Sequence, residues 1–440
     1  MDLKETARTI FVEAVKAADP YYCIVKSVKK TASAITIEGV EYKRSEFSKV
    51  MVIGGGKASA RMGEALEDIL GDDITGGWIN TKDGHAIPLQ HITVHECSHP
   101  VPDQRGVDGT YKIIDILKQA DKNTLVICVL SGGGSALMPA PAEGISLSEK
   151  QAVTKLLLCA GADIVEINTI RKHLSLIKGG GMARYAAPGS LVMLILSDVI
   201  GDPLDAIASG PAVADPGTFQ DCINICKKYG IWDKLPENVR GRFEAGVAGK
   251  IPDTAKPGDA YLKSARNLLI GNNRMSVAAA EATAQKYGFK TLVLSSWFQG
   301  EASQLGNFFS AIAFEIEKTG NPLPAPAAII GGGETTVTIK GTGMGGRNQE
   351  MALAASLWLK GKKNVAFISG GTDGTDGPTD AAGGVVDGDT VAELTAKGLK
   401  AEEFLANNDS YNALKAVNGL IMTGPTGTNV MDIQVLLVGK

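Results

Sequence analysis

The sequence has few aromatic residues and almost no excess charge. Phe, Trp and Tyr make up 5% of its 440 residues, whereas glycine occurs 53 times and hydrophobic residues account for 44%. Abundant glycine with scarce aromatics favours an α/β architecture, in which many tight turns join strands to helices. The formal net charge of −4 supplies no overall field that would attract nucleic acid or an anionic membrane. An anionic ligand must therefore be held by cations that are placed locally.

Paired cysteines and long apolar runs are also lacking. None of the six cysteines belongs to a Cys-x-x-Cys pair, and Cys128 lies in an apolar stretch, so we expect reduced, buried thiols. No run approaches the roughly 20 apolar residues of a membrane span. The first 19 residues predict an amphipathic helix whose acidic residues are unlike a signal peptide. We therefore expect a soluble, cytoplasmic protein that binds neither nucleic acid nor membrane.

The length and a change in composition predict more than one domain. A chain of 440 residues is longer than a typical single domain. Prolines and scattered charges near residues 235–260 predict a boundary there, which gives segments 1–235 and 236–440. Within the first segment, Thr124–Leu130 is almost continuously apolar, as is typical of a parallel strand buried on both faces.

A glycine cluster follows the first strongly apolar strand. The predicted strand Val50–Ile53 runs into three glycines and Lys57, and a predicted helix begins directly afterwards. Glycine lets backbone N–H groups approach an anion closely, and a helix N-terminus adds partial positive charge. The stretch is not a Walker A loop, because Met51 stands where that motif needs a glycine. It predicts a phosphate site, with a plain glycine-rich turn as the alternative.

A second glycine cluster, Ser131–Ser135, follows the apolar strand Thr124–Leu130. Its serine hydroxyls can donate hydrogen bonds to phosphate or carboxylate oxygens. Cations lie beside such turns, and acidic residues lie at strand ends, which suits phosphoryl transfer with Mg²⁺ held by carboxylates and phosphates. Asp198 directly follows a predicted buried strand and is a candidate base or metal ligand, with a helix cap as the alternative.

Two further patterns are weaker. Gly341–Gly346 matches the GxGxxG pattern of dinucleotide-binding turns, but a single match in a glycine-rich chain has low specificity. Arg347, which follows it, fits bidentate contact with a phosphate or carboxylate better. His91, His95 and His99 are four residues apart, but the residues around them predict a strand and a turn, which disfavours a helical zinc site.

Several stretches together resemble one known family. They occur in order along nearly the whole chain, and their combination is specific although each alone is not. The stretches are Val52–Gly63, His99–Asp103, Leu130–Leu137, Asn168–Gly180, Leu196–Pro203, Ser209–Pro216, Gly332–Val337, Gly345–Glu350 and Ser369–Asp380. In these stretches the chain resembles the type 2 glycerate kinases, a family with a C-terminal MOFRL domain in which some members carry the name hydroxypyruvate reductase.

The resemblance implies a fold and an activity. The activity is phosphorylation of D-glycerate with ATP and Mg²⁺, usually to 2-phosphoglycerate. The fold is an N-terminal Rossmann-like domain over residues 1–235 and a smaller C-terminal α/β domain over 236–440, with a MOFRL region at about 325–438 and the active site in the cleft between the domains. The active-site lysine, arginine and aspartate of the family fall on Lys57, Arg347 and Asp198. The chain departs from many relatives at Gly181-Met182 and at Asp83, which bears on substrate breadth.

We therefore predict a glycerate 2-kinase. Lys57 and Arg347 would neutralise the transferring phosphoryl group, and Asp198 would orient or deprotonate the attacking hydroxyl. The candidate metal ligands are Asp198, Asp373 and Asp376. The candidate residues for substrate or phosphate binding are Gly54, Gly55, Gly56, Ser131, Gly132, Gly133, Gly134, Ser135, Arg171, Lys178 and Glu334.

Other interpretations stay open at this point. Arg171 and Lys178 could be solvated helix-end residues, and Asp373 and Asp376 could be turn residues. An NAD(P)H-dependent hydroxypyruvate reductase would use the GxGxxG turn as its cofactor site. A third class is a sensor that binds a sugar acid without turning it over. The expected partners are D-glycerate and ATP, and a homodimer is the assembly considered.

Overall fold

The computed structural model describes residues 2–440 and divides them into two compact units. The parallel-sheet unit comprises residues 20–197 and 202–270, and the mixed-sheet unit comprises the residues up to Asp19 together with 198–201 and 271–440. Each unit has a six-stranded sheet. The predicted two-part α/β fold is confirmed. Each compact unit combines several stretches of chain, and the predicted segments 1–235 and 236–440 stay a prediction.

The strands are β1 (Val28–Lys30), β2 (Ala34–Ile37), β3 (Val40–Lys43), β4 (Lys49–Gly55), β5 (Gly76–Lys82), β6 (Ile92–Cys97), β7 (Thr124–Leu130), β8 (Ser190–Leu196), β9 (Ala265–Gly271), β10 (Lys290–Phe298), β11 (Ala327–Gly333), β12 (Val365–Gly371), β13 (Gly383–Asp387), β14 (Leu420–Ile421) and β15 (Asp432–Val438). The α-helices are α1 (Leu3–Ala17), α2 (Pro20–Ser27), α3 (Ser59–Leu70), α4 (Gln104–Lys118), α5 (Gly134–Leu137), α6 (Leu147–Cys159), α7 (Ile164–His173), α8 (Gly181–Ala186), α9 (Phe219–Lys228), α10 (Glu237–Val247), α11 (Asn273–Lys286), α12 (Ala302–Thr319), α13 (Arg347–Leu359), α14 (Thr390–Ala396), α15 (Ala401–Ala406) and α16 (Ser410–Ala416).

The large sheet of the parallel-sheet unit has the order β6-β5-β4-β7-β8-β9. The pairs from β6 across to β8 are parallel. Numbered within this sheet alone, the order is 3-2-1-4-5-6, which is the doubly wound Rossmann order. Every residue of β7 is buried, as its apolar run predicts for a strand covered on both faces. A separate antiparallel sheet contains β1, β2 and β3.

The sheet of the mixed-sheet unit has the order β10-β11-β15-β12-β13-β14. Only its first pair, β10 with β11, is parallel among the described residues. Its two apolar faces are covered by different helices: residues of α12 and α13 pack on one face, and residues of α1 and α11 pack on the other.

Helix α1 belongs to the mixed-sheet unit although it begins the chain. Its apolar face buries Ile10 and Phe11 completely against that sheet. The contact is close, since a Cβ on Gly370 would lie 2.7 Å from the ring of Phe11. The sequence predicted this amphipathic helix but not the sheet that buries its apolar face.

All six cysteines are free thiols, and Cys159 alone among them is exposed. Among residues 2–440, no helix has both the length and the apolar character needed to cross a membrane.

Candidate active site

The two glycine clusters of the parallel-sheet unit follow β4 and β7, its central strands. Strand order reverses between these two strands, which pair in parallel from Lys49 with Thr124 to Gly55 with Leu130. In doubly wound sheets, ligands bind at the carboxyl ends of the strands at such a switch point. The fold therefore brings the two predicted phosphate loops together at the position where this architecture binds ligands.

The first loop, residues 54–58, uses most of its backbone amides within the protein. The N–H of Gly56 donates to the carbonyl of Asn80 at 3.2 Å, and the N–H of Lys57 donates to the carbonyl of Gly132 at 2.9 Å. The N–H of Ala58 donates to the hydroxyl oxygen of Ser131 at 3.0 Å. This loop is thereby fastened to its neighbours, and the positive charge it offers a ligand is the side chain of Lys57.

The glycines of the first loop allow close packing. Gly54 and Gly55 lie within β4, two residues beyond the predicted end of the strand at Ile53. A Cβ on Gly54 would lie 2.1 Å from the carbonyl oxygen of Val129 in the adjacent strand. Gly56 has a φ of +148°, and a Cβ there would lie 2.2 Å from the Ser131 hydroxyl. Their predicted contact with phosphate stays a prediction.

The second loop, residues 131–135, has free amides. Within residues 2–440, the N–H groups of Gly132 and Gly133 make no hydrogen bond. The N–H of Gly134 donates to the carbonyl of Ser131 at 3.1 Å, which starts the short helix α5. Free N–H groups at a glycine turn are the donors that bind oxyanions. The second loop is therefore the better anion cradle of the two.

Lys57 and His99 flank Gly133. A Cβ on Gly133 would lie 2.9 Å from Nε2 of His99 and 3.4 Å from Cγ of Lys57. Lys57 is half-buried, and its amino group has no hydrogen bond or ion pair within residues 2–440. Burial and the nearby charge of Lys57 lower the pKa of His99 below its usual value, so the imidazole is neutral at pH 7. An unpaired ammonium therefore lies beside the free amides of the second loop.

A cavity of about 590 Å³ opens next to this loop. Four cations, Lys150, Lys155, Arg171 and Lys178, line it together with His99 and Ser135, and none of its lining residues is acidic. The predicted candidates Arg171, Lys178 and Ser135 are therefore brought together, whereas Lys150 was not predicted. Four cations without a carboxylate form a site that favours an anion.

Lys178 also fixes the second loop in place. It is 4% exposed, and its Nζ donates to the Ser135 carbonyl at 3.0 Å and to the Ser135 hydroxyl at 2.8 Å. It also donates to the carbonyl of Ala208 at 3.3 Å. Burial and the neighbouring cations lower the pKa of Lys178 well below its usual value. Because Ala208 and Ser209 both have positive φ, a strained turn is held against this loop.

In the mixed-sheet unit, Arg347 is held by two carboxylates. Its Nε and NH2 groups donate to Asp432 at 2.6 and 2.9 Å, a bidentate pair with a fully buried acid. Its NH1 group lies 3.0 Å from Glu334, which is 45% exposed. Burial alone would lower the pKa of Arg347, but these two acids raise it above its usual value. The two predicted site residues Arg347 and Glu334 are thus in direct contact, and buried Asp432 anchors Arg347.

Asp376 accepts hydrogen bonds from the first turn of α13. Its carboxylate receives the backbone N–H of Asn348 at 3.2 Å and that of Gln349 at 2.8 Å. The side chain is 3% exposed, and burial raises its pKa to about 7 although these N–H groups favour the ionised form. Both oxygens are used by the helix, so the geometry favours a capping role over metal binding.

We expect Asp376→Ala to lower the free energy of unfolding by about 1–2 kcal/mol, since it removes the acceptor for two helix amides. Asp389→Ala is the matched control, because Asp389 precedes α14 without a side-chain capping bond and is exposed. Urea unfolding at pH 7 measures both. Equal losses for the two variants would contradict the capping role.

The three predicted metal ligands do not form a preformed cluster. Within residues 2–440, no three His, Cys, Asp or Glu side chains lie together so as to hold a metal ion. Asp373 is half-buried and accepts the N–H of Thr375 at 3.0 Å through one oxygen, which leaves the other available. Asp198 follows β8 and is half-buried. Because Mg²⁺ is commonly held by one or two carboxylates plus substrate phosphates, Asp373, with one oxygen free of hydrogen bonds, fits that ion better than Asp376, whose role as a metal ligand stays a prediction.

The GxGxxG stretch does not form a strand-to-helix turn around a free anion site. The amides of Lys340 and Gly341 donate to the side chain of Asn408 at 2.7 and 3.0 Å. The amide of Met344 donates to Asp409 at 2.9 Å. These amides are occupied by residues of the same unit, so the pattern loses the property on which the dinucleotide interpretation depends.

Comparison with family models divides the chain in two. A model described as a domain of unknown function (DUF4147) matches residues 6–244. The MOFRL family model matches residues 327–432.

Two full-length relatives carry kinase names, and a third is named as a reductase. The chain is 45% identical to glycerate 2-kinase of Pyrococcus horikoshii, covering 100% of this chain and 98% of the relative. It is 41% identical to D-glycerate 2-kinase of Thermotoga maritima, with 99% of each covered. A relative from Agrobacterium vitis that is provisionally named hydroxypyruvate reductase is 39% identical, with 99% and 94% covered.

The fold matches a solved structure over its whole length. The crystal structure of glycerate kinase from Thermotoga maritima superposes with a TM-score of 0.90 at 40% identity, covering 99% of each chain. Together with the MOFRL match, these similarities show that the chain belongs to the glycerate 2-kinase family.

Proposed function

We propose that this protein is a D-glycerate kinase that transfers the γ-phosphoryl group of ATP to the 2-hydroxyl of D-glycerate. Both substrates are anions, and the observation that carries the proposal is the cavity beside the second glycine loop. Its cations lack acidic partners, and the N–H groups of Gly132 and Gly133 are free. The name of the Thermotoga maritima relative, D-glycerate 2-kinase, supports the choice of substrate and position.

In the proposed reaction, the 2-hydroxyl oxygen attacks the γ-phosphorus, the bond from that phosphorus to the bridging oxygen breaks, and ADP leaves. Asp198 accepts the hydroxyl proton. Lys57 supplies an ammonium that has no partner in the free protein, so it is available for the charge that spreads over the transferring oxygens. We assign the same neutralising role to Arg347, whose exposed partner Glu334 a phosphate can displace more easily than buried Asp432.

Mg²⁺, when bound, neutralises phosphate oxygens and orients the transferring group. Asp373 is the first candidate ligand for this ion, and Asp198 is the second. We further propose that the enzyme works in the cytoplasm on small molecules, since its six cysteines are free thiols.

Asp373→Ala should raise the Mg²⁺ concentration that gives half-maximal activity by several-fold, because one ligand to the ion is lost. Asp376→Ala should leave that concentration unchanged, since its carboxylate is used by α13. Titration of activity with MgCl₂ measures both. A shift for Asp376→Ala without one for Asp373→Ala would reverse the assignment.

A coupled assay tests the proposed function. Purified protein is mixed with D-glycerate, ATP and Mg²⁺, while enolase, pyruvate kinase and lactate dehydrogenase convert 2-phosphoglycerate and ADP into loss of NADH. We expect a signal without phosphoglycerate mutase, which requires phosphorylation at the 2-position. A signal that appears only when mutase is added would mean phosphorylation at the 3-position.

The reductase interpretation has its own test. Oxidation of NADH or NADPH with hydroxypyruvate in the absence of ATP would establish it, and no turnover in either assay would leave a sensor. The occupied amides around Lys340 and Met344 argue against the reductase.

A further inference from the structure

The cavity beside the second glycine loop contains a buried lysine without a partner. Lys150 lies on α6 and is 9% exposed. Its Nζ is shielded from solvent and makes no hydrogen bond to residues 2–440. Burying an ammonium without a compensating acceptor is costly, so a protein that keeps one gains something else from it.

The neighbours of Lys150 intensify this cost. Arg171 on α7 and Lys178 in the turn after α7 line the same cavity, as do His99 and the exposed Lys155, and no carboxylate lines it. Burial and the charge of Arg171 lower the pKa of Lys150 to about 7. The guanidinium of Arg171 has no hydrogen bond or ion pair within residues 2–440. An oxyanion in this cavity would satisfy both side chains at once.

The size and walls of the cavity favour a nucleotide over glycerate. Its volume of 590 Å³ is within the range of pockets that bind drug-sized ligands, whereas glycerate is a three-carbon acid with one charge. The apolar lining residues include Val101, Leu147 and Leu158. Val101 and Leu158 are more than half exposed, at 63% and 60%, and offer apolar surface for a flat base.

We propose that Lys150 is a phosphate-binding residue, and that it forms with Arg171 and Lys178 the site that holds the phosphate groups of the nucleotide. This inference rests on the proposed function, which requires a nucleotide, and it adds both the location of that nucleotide and a residue that carries its charge. The free N–H groups of Gly132 and Gly133 lie at the same loop and would donate to the same phosphates.

Isothermal titration calorimetry with ADP, without Mg²⁺ and without glycerate, tests the assignment. We expect Lys150→Met to weaken ADP binding by at least tenfold and Lys150→Arg to restore much of it, because arginine keeps the positive charge. Lys112→Met is the control, since this exposed lysine of α4 does not line the cavity, and we expect it to change the affinity less than threefold.

Proton uptake provides a second readout that a structural role would not change. An anion that binds Lys150 favours its protonated form, so ADP binding at pH 8 should take up protons, measured as a dependence of the heat on buffer ionisation enthalpy. Lys150→Met should reduce that uptake relative to the wild type and to Lys112→Met.

Two results would overturn the inference. One is ADP affinity of Lys150→Met within threefold of the wild type, and the other is weakened binding of D-glycerate alone with ADP binding intact. Turnover of the wild type in the coupled assay is measured separately. If the Lys150 variants contradict the inference, the proposed kinase reaction still stands. If the wild type shows no turnover, the proposed function fails whatever the variants show.

Discussion

Lys57→Met should lower kcat by roughly 100- to 1,000-fold, the loss typical of removing one preorganised group that stabilises transition-state charge. The same variant should keep its stability to within about 0.5 kcal/mol. Lys57 is half-buried and its amino group has no partner within residues 2–440, so its removal leaves no group unsatisfied. Steady-state kinetics with D-glycerate and ATP, together with urea unfolding, measure the two effects.

The variant has a matched control and an independent check of geometry. Lys112→Met removes an exposed lysine of α4 and should leave kcat unchanged. Because the charge of Lys57 contributes to the lowered pKa of His99, Lys57→Met should raise the pKa of that imidazole, which NMR titration detects. A raised His99 pKa with near-normal kcat would confirm that the two side chains are close and contradict the catalytic role of Lys57.

The sequence predicts the apolar strands of this fold better than their ends. Thr124–Leu130 is β7 as predicted, because a run buried on both faces has only apolar residues. At β4, the predicted end at Ile53 falls two residues short of the observed end at Gly55. Glycine is typical of turns, so the sequence predicts that the strand ends before Gly54. In the structure Gly54 continues the strand because it packs closely against Val129 of β7, and the sequence does not show that this distant residue is its neighbour.

Candidate site residues can be predicted from the sequence where the charge of the side chain and the turn beside it are sufficient to suggest a role. Lys57 and Arg347 stand out as cations beside glycine turns, and both have the accessibility that contact with an anion requires. Asp376 lies in a glycine-rich turn that suggests a metal ligand, whereas its carboxylate accepts two amides of the first turn of α13, a contact that the sequence does not indicate. Its role as a metal ligand stays a prediction.

Lys150 had a signal in the sequence that is easily missed. Val153 and Leu157 lie three and seven positions after it, so all three share one face of α6 and are buried together. Periodicity can therefore show that a lysine points inward. It cannot show that the cations that meet it come from α7 and the following turn, since tertiary packing decides that.

Arg347→Ala should lower both activity and stability, which distinguishes it from Lys57→Met. We expect kcat to fall roughly 100-fold or more for the same electrostatic reason. The free energy of unfolding should also fall by about 3–5 kcal/mol, because removal of one partner leaves the other charge buried and unpaired. Asp432 is that partner: it is fully buried, and both its oxygens bind the guanidinium.

The loss of stability should depend on pH with a defined sign. Burial raises the pKa of Asp432 even beside Arg347, and removal of Arg347 raises it further. The folded variant therefore binds a proton that the unfolded chain, with an ordinary aspartate, releases at lower pH. Stability of the variant then falls as pH rises through this window, so its deficit relative to the wild type should be smaller at pH 5 than at pH 8.

The double variant Arg347→Ala/Asp432→Asn separates the two effects of Arg347. A neutral amide needs no counter-charge, so the double variant should recover much of the stability lost in Arg347→Ala while kcat stays low. Urea unfolding at pH 5 and pH 8 and the coupled assay measure this. If the second substitution restored kcat along with stability, the activity loss of Arg347→Ala would be a consequence of misfolding, and Arg347 would be a structural counter-ion for Asp432 without a direct role at the phosphoryl group.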